Sequence, residues 1–126
     1  MVDKKIAVIN IDCDDIIAGI IFNQLYNKFG DSVSYFGIGA CSFVSNVYDV
    51  VVLISSSWEV LIDVRNRWSK KREVYVCGVC LGLTPSPLTE LSNFMIHSGV
   101  GSISGLLYDV EAELEKEDNE ENSESK

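Results

Sequence analysis

The chain predicts an α/β domain of the doubly wound, Rossmann-like kind: three layers around a mostly parallel sheet of four to five strands, followed by a disordered acidic tail. Three observations carry this. Ile6-Ala7-Val8-Ile9-Asn10-Ile11 is an apolar run that stops on Asp12-Cys13-Asp14-Asp15, and an amphipathic pattern starts at once. Val50-Val51-Val52-Leu53-Ile54 repeats the arrangement, ending on Ser55-Ser56-Ser57. The resulting order is strand, helix, strand, loop, strand, helix, strand, which is the order of parallel strands joined by crossover helices.

The first strand enters after Lys4 and Lys5. Ile16, Ile17, Ile20, Ile21, Leu25 and Tyr26 then recur at helical spacing, so a helix is expected over 15–29, closed by Gly30. Asp15 is the expected cap of that helix. Ser32 to Gly37 reads as the second strand, and Gly37, Gly39 and Ala40 open an irregular segment. The serines after the third strand can cap a helix from Trp58 to Lys71. Glu73 to Cys77 is the fourth strand. Beyond a turn at Thr84-Pro85-Ser86-Pro87, Leu88 to Ile96 reads as a short helix and Gly101 to Leu107 as a glycine-bracketed strand. Composition then turns to Glu, Asp, Asn, Ser and Lys. Residues 1–110 are thus expected to form the domain and 111–126 the acidic tail, disordered from about Lys116, with Tyr108 to Glu115 a fraying helix, because so few apolar residues cannot offset the entropy of ordering.

With 126 residues, 47% of them hydrophobic, one domain can bury a real core. The formal charge of −9 is uneven: residues 109–126 carry nine acids and two bases, −7, leaving −2 for the rest. Neither part attracts nucleic acid by bulk electrostatics. The sequence has no apolar stretch of the length that crosses a bilayer and does not start with a basic, then apolar, leader, so an intracellular place with reduced thiols is expected. Cys13, Cys41, Cys77 and Cys80 sit in or beside apolar runs, as small buried hydrophobes do.

Candidate chemistry gathers at the ends of the strands, where ligands sit in open α/β sheets. If the chain stays extended past Asn10, Asp12 and Asp14 leave on one face and could share a metal ion. They are weak candidates, because Ser55–Ser57 and Cys77-Gly78-Val79-Cys80 add no good ligand for manganese or magnesium, so no metal or cofactor is expected. Cys77-x-x-Cys80 alone is half a zinc site or a redox pair, with Cys13, Cys41 or His97 as the available completions. His97 reads as a residue at a helix C-terminus. Trp58 and Trp68 fall on one face of the second helix, as core or partner surface.

Asp12-Cys13-Asp14, the helix from Ile16 to Leu25 and the strand around Tyr35 resemble the first motif of the DHH phosphoesterase superfamily, in which an Asp-x-Asp ends the first strand. Within it, the chain is similar to the N-terminal region of the cell division control protein 45 family, its eukaryotic replication-fork branch. The likeness lies at Asp12 to Ala18, at Val51 to Ser57, at Val74-Tyr75-Val76-Cys77, which resembles the strand leading to the family's Asp-x-His-Arg-Pro segment, and in the acidic stretch that follows. Gly78 stands where that segment has Asp, Cys80 where it has His, and Leu81-Gly82 where it has Arg-Pro; Asp15 replaces a small residue. The resemblance therefore implies a scaffold that has lost its hydrolytic ligands, with Asp12 and Asp14 as relics, acting through protein contacts with replication-fork helicase components in the nucleus. Strong direct nucleic-acid binding and membrane association are not expected.

Two other readings use the same residues. Gly78-Val79-Cys80-Leu81-Gly82 is similar to the nucleophile elbow of class I glutamine amidotransferases, with Cys80 as the nucleophile. His97, however, is followed by Ser98 and Gly99 rather than by a Glu two residues on. An acid pair after the first strand also resembles receiver domains of two-component signalling, although the third strand ends on Ile54-Ser55 rather than on a phosphorylatable Asp, which leaves a pseudo-receiver.

Overall fold

The computed structural model describes residues 4–40, 47–66, 74–82, 90–91, 94–98 and 103–124, with the side chains of 40, 90, 91, 94 and 116–124 outside that description. Its strands are β1 (Ile6–Asn10), β2 (Val33–Gly37), β3 (Val50–Ser55), β4 (Tyr75–Cys80), β5 (Glu90–Leu91) and β6 (Phe94–Ser98). Its helices are α1 (Asp15–Phe29), α2 (Trp58–Asn66) and α3 (Ile103–Glu124). The sheet order is β2-β1-β3-β4-β6-β5. The first five of these strands are parallel, and the two-residue β5 closes the edge antiparallel to β6. The expected α/β doubly wound class is therefore the class of the fold.

Alternation along the buried strands divides the core in two. Ile6, Val8, Val50, Val52, Ile54, Cys77 and Val79 meet Ala18, Ile21 and Leu25 of α1 and Leu106 and Val110 of α3 on one face. Ala7, Ile9, Val51, Leu53, Val76, Cys80 and Ile96 meet Leu61 and Val64 of α2 on the other. Both faces of β1 and β3 are covered, which is why these runs are apolar without interruption.

α1 spans the expected residues, and Gly30 ends it at φ 71°, a conformation suited to glycine. Its cap is Asp14 rather than Asp15: the Asp14 carboxylate accepts the Ile16 N–H at 2.8 Å. At the end of β3, Ser57 starts α2, its hydroxyl accepting the Val60 N–H at 3.4 Å.

The C-terminal third departs from expectation three times. Within the expected helix of 88–96, the described residues are strand, β5 and β6. β6 pairs with β4, setting Met95 opposite Cys77 and burying Ile96; a short apolar run fits either period, and pairing with an open sheet edge decides it. Where a strand over 101–107 is expected, α3 starts at Ile103. Ile103, Leu106, Leu107, Val110 and Leu114 recur at helical spacing and pack against the core, and Gly105 lies beside His97, where a Cβ would make an ordinary contact. Past Leu114 the backbone remains helical to Glu124, in a segment rich in Glu, a good helix former, where no fixed structure is expected. Cys41, Trp68 and the turn at 84–87 lie outside the described residues, as do 67–71 of the expected second helix and Glu73 of the expected fourth strand.

Candidate functional site

The order of the sheet reverses between β1 and β3, so the crevice beyond their C-terminal ends is where this architecture places ligands. Three acidic residues reach it from β1, and each goes a different way. The backbone bends over Ile11–Cys13 instead of running on extended, so the alternation that would aim Asp12 and Asp14 together is lost.

Asp12 turns toward β3. Its Oδ1 accepts the Ser55 hydroxyl at 3.0 Å and the Ser56 N–H at 3.1 Å. Ser55 is fully buried, and its oxygen also accepts the Ser57 N–H at 3.1 Å, so its hydroxyl proton and one lone pair are both used within the crevice wall. Asp14 is occupied as the cap of α1. Asp15 turns toward β2, where its Oδ1 accepts the Tyr35 hydroxyl at 2.7 Å and Asn10 Nδ2 at 3.0 Å. These bonds, Tyr35 first, hold the Asp15 carboxyl below the usual carboxylate range. Tyr35 is pushed up by burial and by donating to Asp15.

Asn10 is the centre of this corner. It is the one polar side chain in the buried run of β1, and its amide also reaches the Cys13 carbonyl at 2.9 Å and Tyr35 Oη at 3.0 Å, while its Oδ1 accepts the Cys13 N–H at 2.9 Å. The bend after β1 is thereby tied to α1 and β2. Neither Asn10 nor Tyr35 is a sequence candidate; an Asn closing a run of aliphatics is the signal that could have found them, since a buried amide needs partners.

Cys13 lies half-buried with its thiol 3.8 Å from Asp12 Oδ1, and burial together with the Asp12 charge pushes it up to about 11. Cys80 ends β4, buried, its Sγ 4.0 Å from the Ser56 carbonyl. Gly82 follows at a close approach, because a Cβ there would overlap that same carbonyl oxygen. Cys80 is thus part of a regular strand rather than of a strained turn, and its thiol faces the α2 side.

His97 belongs to β6, not to a helix end. It stands opposite Val79, which puts it on the α1/α3 face, away from Cys80. There its Nε2 is 3.3 Å from Asp109 of α3, and the Tyr75 hydroxyl donates to the same carboxylate at 2.7 Å. Tyr75 is pushed up by burial and by that bond. Cys77, beneath them and fully buried, is pushed well above an ordinary thiol, mainly by burial. Since Cys77 and Cys80 stand three apart on one extended strand, they point to opposite faces, so the Cys-x-x-Cys spacing gives neither a zinc half-site nor a redox pair.

Among the described residues, no three His, Cys, Asp or Glu side chains are grouped to hold a metal ion, and no helix is long and apolar enough to cross a membrane. Asp12 and Cys80 both meet Ser56, the carboxylate at its N–H and the thiol at its carbonyl, while Asp14 is turned to its own helix, so the three do not share one point. No protein-family model, curated protein or solved structure matches the chain.

Proposed function

We propose that this chain is a non-catalytic interaction module acting through protein contacts, in the nucleus and at the replication fork, as the resemblance to the DHH superfamily implies. The observation that carries the non-catalytic part is the divergence of the three strand-end carboxylates: Asp12 is bonded to the β3 turn, Asp14 to its own helix, and Asp15 to Tyr35 and Asn10. A two-metal hydrolase needs its carboxylates aimed at one point, and freeing these would cost each its hydrogen bonds. The separation of Cys80 from His97 by the thickness of the sheet weighs in the same direction against a cysteine hydrolase.

The test is capture of a purified replication-fork helicase by the full chain, beside a DNA titration at two salt concentrations. The expected outcome is capture of the helicase and weak, salt-sensitive, sequence-independent DNA binding, since the body of the domain is close to neutral and the C-terminal segment acidic. Tight DNA binding, or no helicase retained, overturns the proposal.

A further inference from the structure

Helix α1 is apolar on the wrong side as well as the right one. Ala18, Ile21 and Leu25 face the sheet, yet Ile16, Ile17 and Ile20 remain 79%, 42% and 44% exposed. From Ile16 to Asn27 no residue is charged, so the outward face bearing Ile16, Ile20, Asn23 and Asn27 has none of the Lys and Glu that solvate an ordinary surface helix. Gly19 stands beside it. A glycine inside a helix weakens it, and the fold gives no reason for this one, because a Cβ there would meet nothing within 4 Å. Gly82, by contrast, lies against the Ser56 carbonyl, where a Cβ would overlap the oxygen.

Ile16, Gly19, Ile20 and Asn23 stand at i, i+3, i+4 and i+7, the four positions that frame a hole for the knob of a neighbouring helix, and the glycine leaves that hole deep. We infer that the Ile16–Gly19–Ile20–Asn23 strip of α1 docks a helix of a different protein, one with an apolar strip of its own flanked by Lys or Arg. The basic flank follows from the rim. Exposed Asp12, Asp14 and Asp15 stand at the N-terminal end of the strip, and no Lys or Arg occurs between them and Lys28, whose own charge is paired with Glu111 of α3 at 3.5 Å. A second copy of this chain fits poorly, since it would bring another α3 and another −9 against the first. Anionic lipid is opposed by the same rim.

The inference rests on reading the chain as an interaction module and names the surface and the partner chemistry. Its test is a displayed library of randomised amphipathic helices, about 20 residues long, selected on the full chain. Enriched helices are expected to combine an apolar strip with Lys or Arg flanks, and to bind Ile20→Lys and Gly19→Phe at least about tenfold more weakly, equivalent to about 1.4 kcal/mol. Both positions face outward, so unchanged circular dichroism and melting identify folded variants, with Ile16→Lys as the replacement for any that is not. Enrichment of acidic helices, of none, or of helices indifferent to Ile20→Lys overturns the inference. So does a sedimentation dimer that Ile20→Lys disperses, or binding to anionic vesicles that the same change abolishes. Helicase capture undiminished by Ile20→Lys overturns this docking strip and leaves the interaction-module reading standing. Failure of capture, with selected helices still bound at the strip, overturns the proposed replication-fork function and leaves the docking strip standing.

Discussion

Single residues decide the candidate site, and two substitutions separate fold from function there. Gly19→Ala adds a methyl into open space and removes a glycine from a helix interior, so it should raise the unfolding free energy by about 0.5–1 kcal/mol in urea titration. A loss of stability would show that Gly19 answers a packing need within the fold. Asn10→Ala should act in the opposite direction, by about 1–3 kcal/mol, because it strips the β1 bend of its ties to Cys13, Asp15 and Tyr35 and leaves part-buried polar groups unpaired. An Asn10→Ala chain as stable as the parent would remove Asn10 from the centre of that corner. These two residues also mark how far the site is legible in the sequence. The acidic strand end at Asp12 to Asp15 announces itself by composition, and so does the serine turn at 55–57. The direction of each carboxylate does not, because it depends on a bend after Asn10 and on Tyr35, 25 positions away in the chain. Spacing reports which face a side chain leaves only while the backbone stays regular.

At the scale of elements, the stretches with long single-period runs are read correctly, the fourth strand and the helix over 108–115 are read in type but not in bounds, and the segments 88–96 and 101–107 are not. β1, α1, β2, β3 and the start of α2 stand at or next to their expected residues, since each has both a period and a terminator such as Gly30 or Ser57. The segments 88–96 and 101–107 lack that agreement: Phe-Met-Ile-His-Ser fits a strand or a helical turn, and the glycines around Ile103 obscure a stripe that begins there and continues to Leu114. Tertiary pairing then selects. How α3 is held gives a pH prediction. It lies over Tyr75 and Cys77, bonded through Asp109, and both of these acids are raised in the folded state, as is Cys13 near α1, up to about 11. A group raised in this way keeps its proton in the native chain when the unfolded chain has lost it, so its contribution is complete below the unfolded pKa and declines as pH rises toward the folded one. Stability should therefore fall from about pH 9 upward, the ordinary thiol pKa being 9.0. Urea unfolding at pH 8 and pH 10.5 checks this, with Cys77→Ala and Cys13→Ala flattening the fall. A profile equally steep in both variants would place the alkaline lability elsewhere.

For the whole molecule, the decisive contrast is between a body near neutrality and an acidic C-terminal helix. Leu114, packed against the core, is the last apolar residue in the sequence of α3, and the 22 residues of the helix correspond to about 33 Å at 1.5 Å per residue. Residues 116–126 carry five acids and two bases, −3 of the total −9, with no apolar anchor among them. Removing them should leave the unfolding free energy within a few tenths of a kcal/mol, or raise it slightly by lowering like-charge repulsion, and should leave the urea dependence of unfolding nearly unchanged because little apolar surface is lost. Truncation at 105 should behave otherwise. It deletes Leu106 and Val110, both fully buried against β1, β3 and β4, and takes Asp109 from Tyr75 and His97, so cooperative unfolding should collapse. Comparing the two truncations by urea titration and circular dichroism locates the boundary between fold and charge. If the chain ending at 115 loses more than about 1 kcal/mol, the acidic segment is part of the folded unit, and the division between a domain that packs and a tail that only carries charge is wrong.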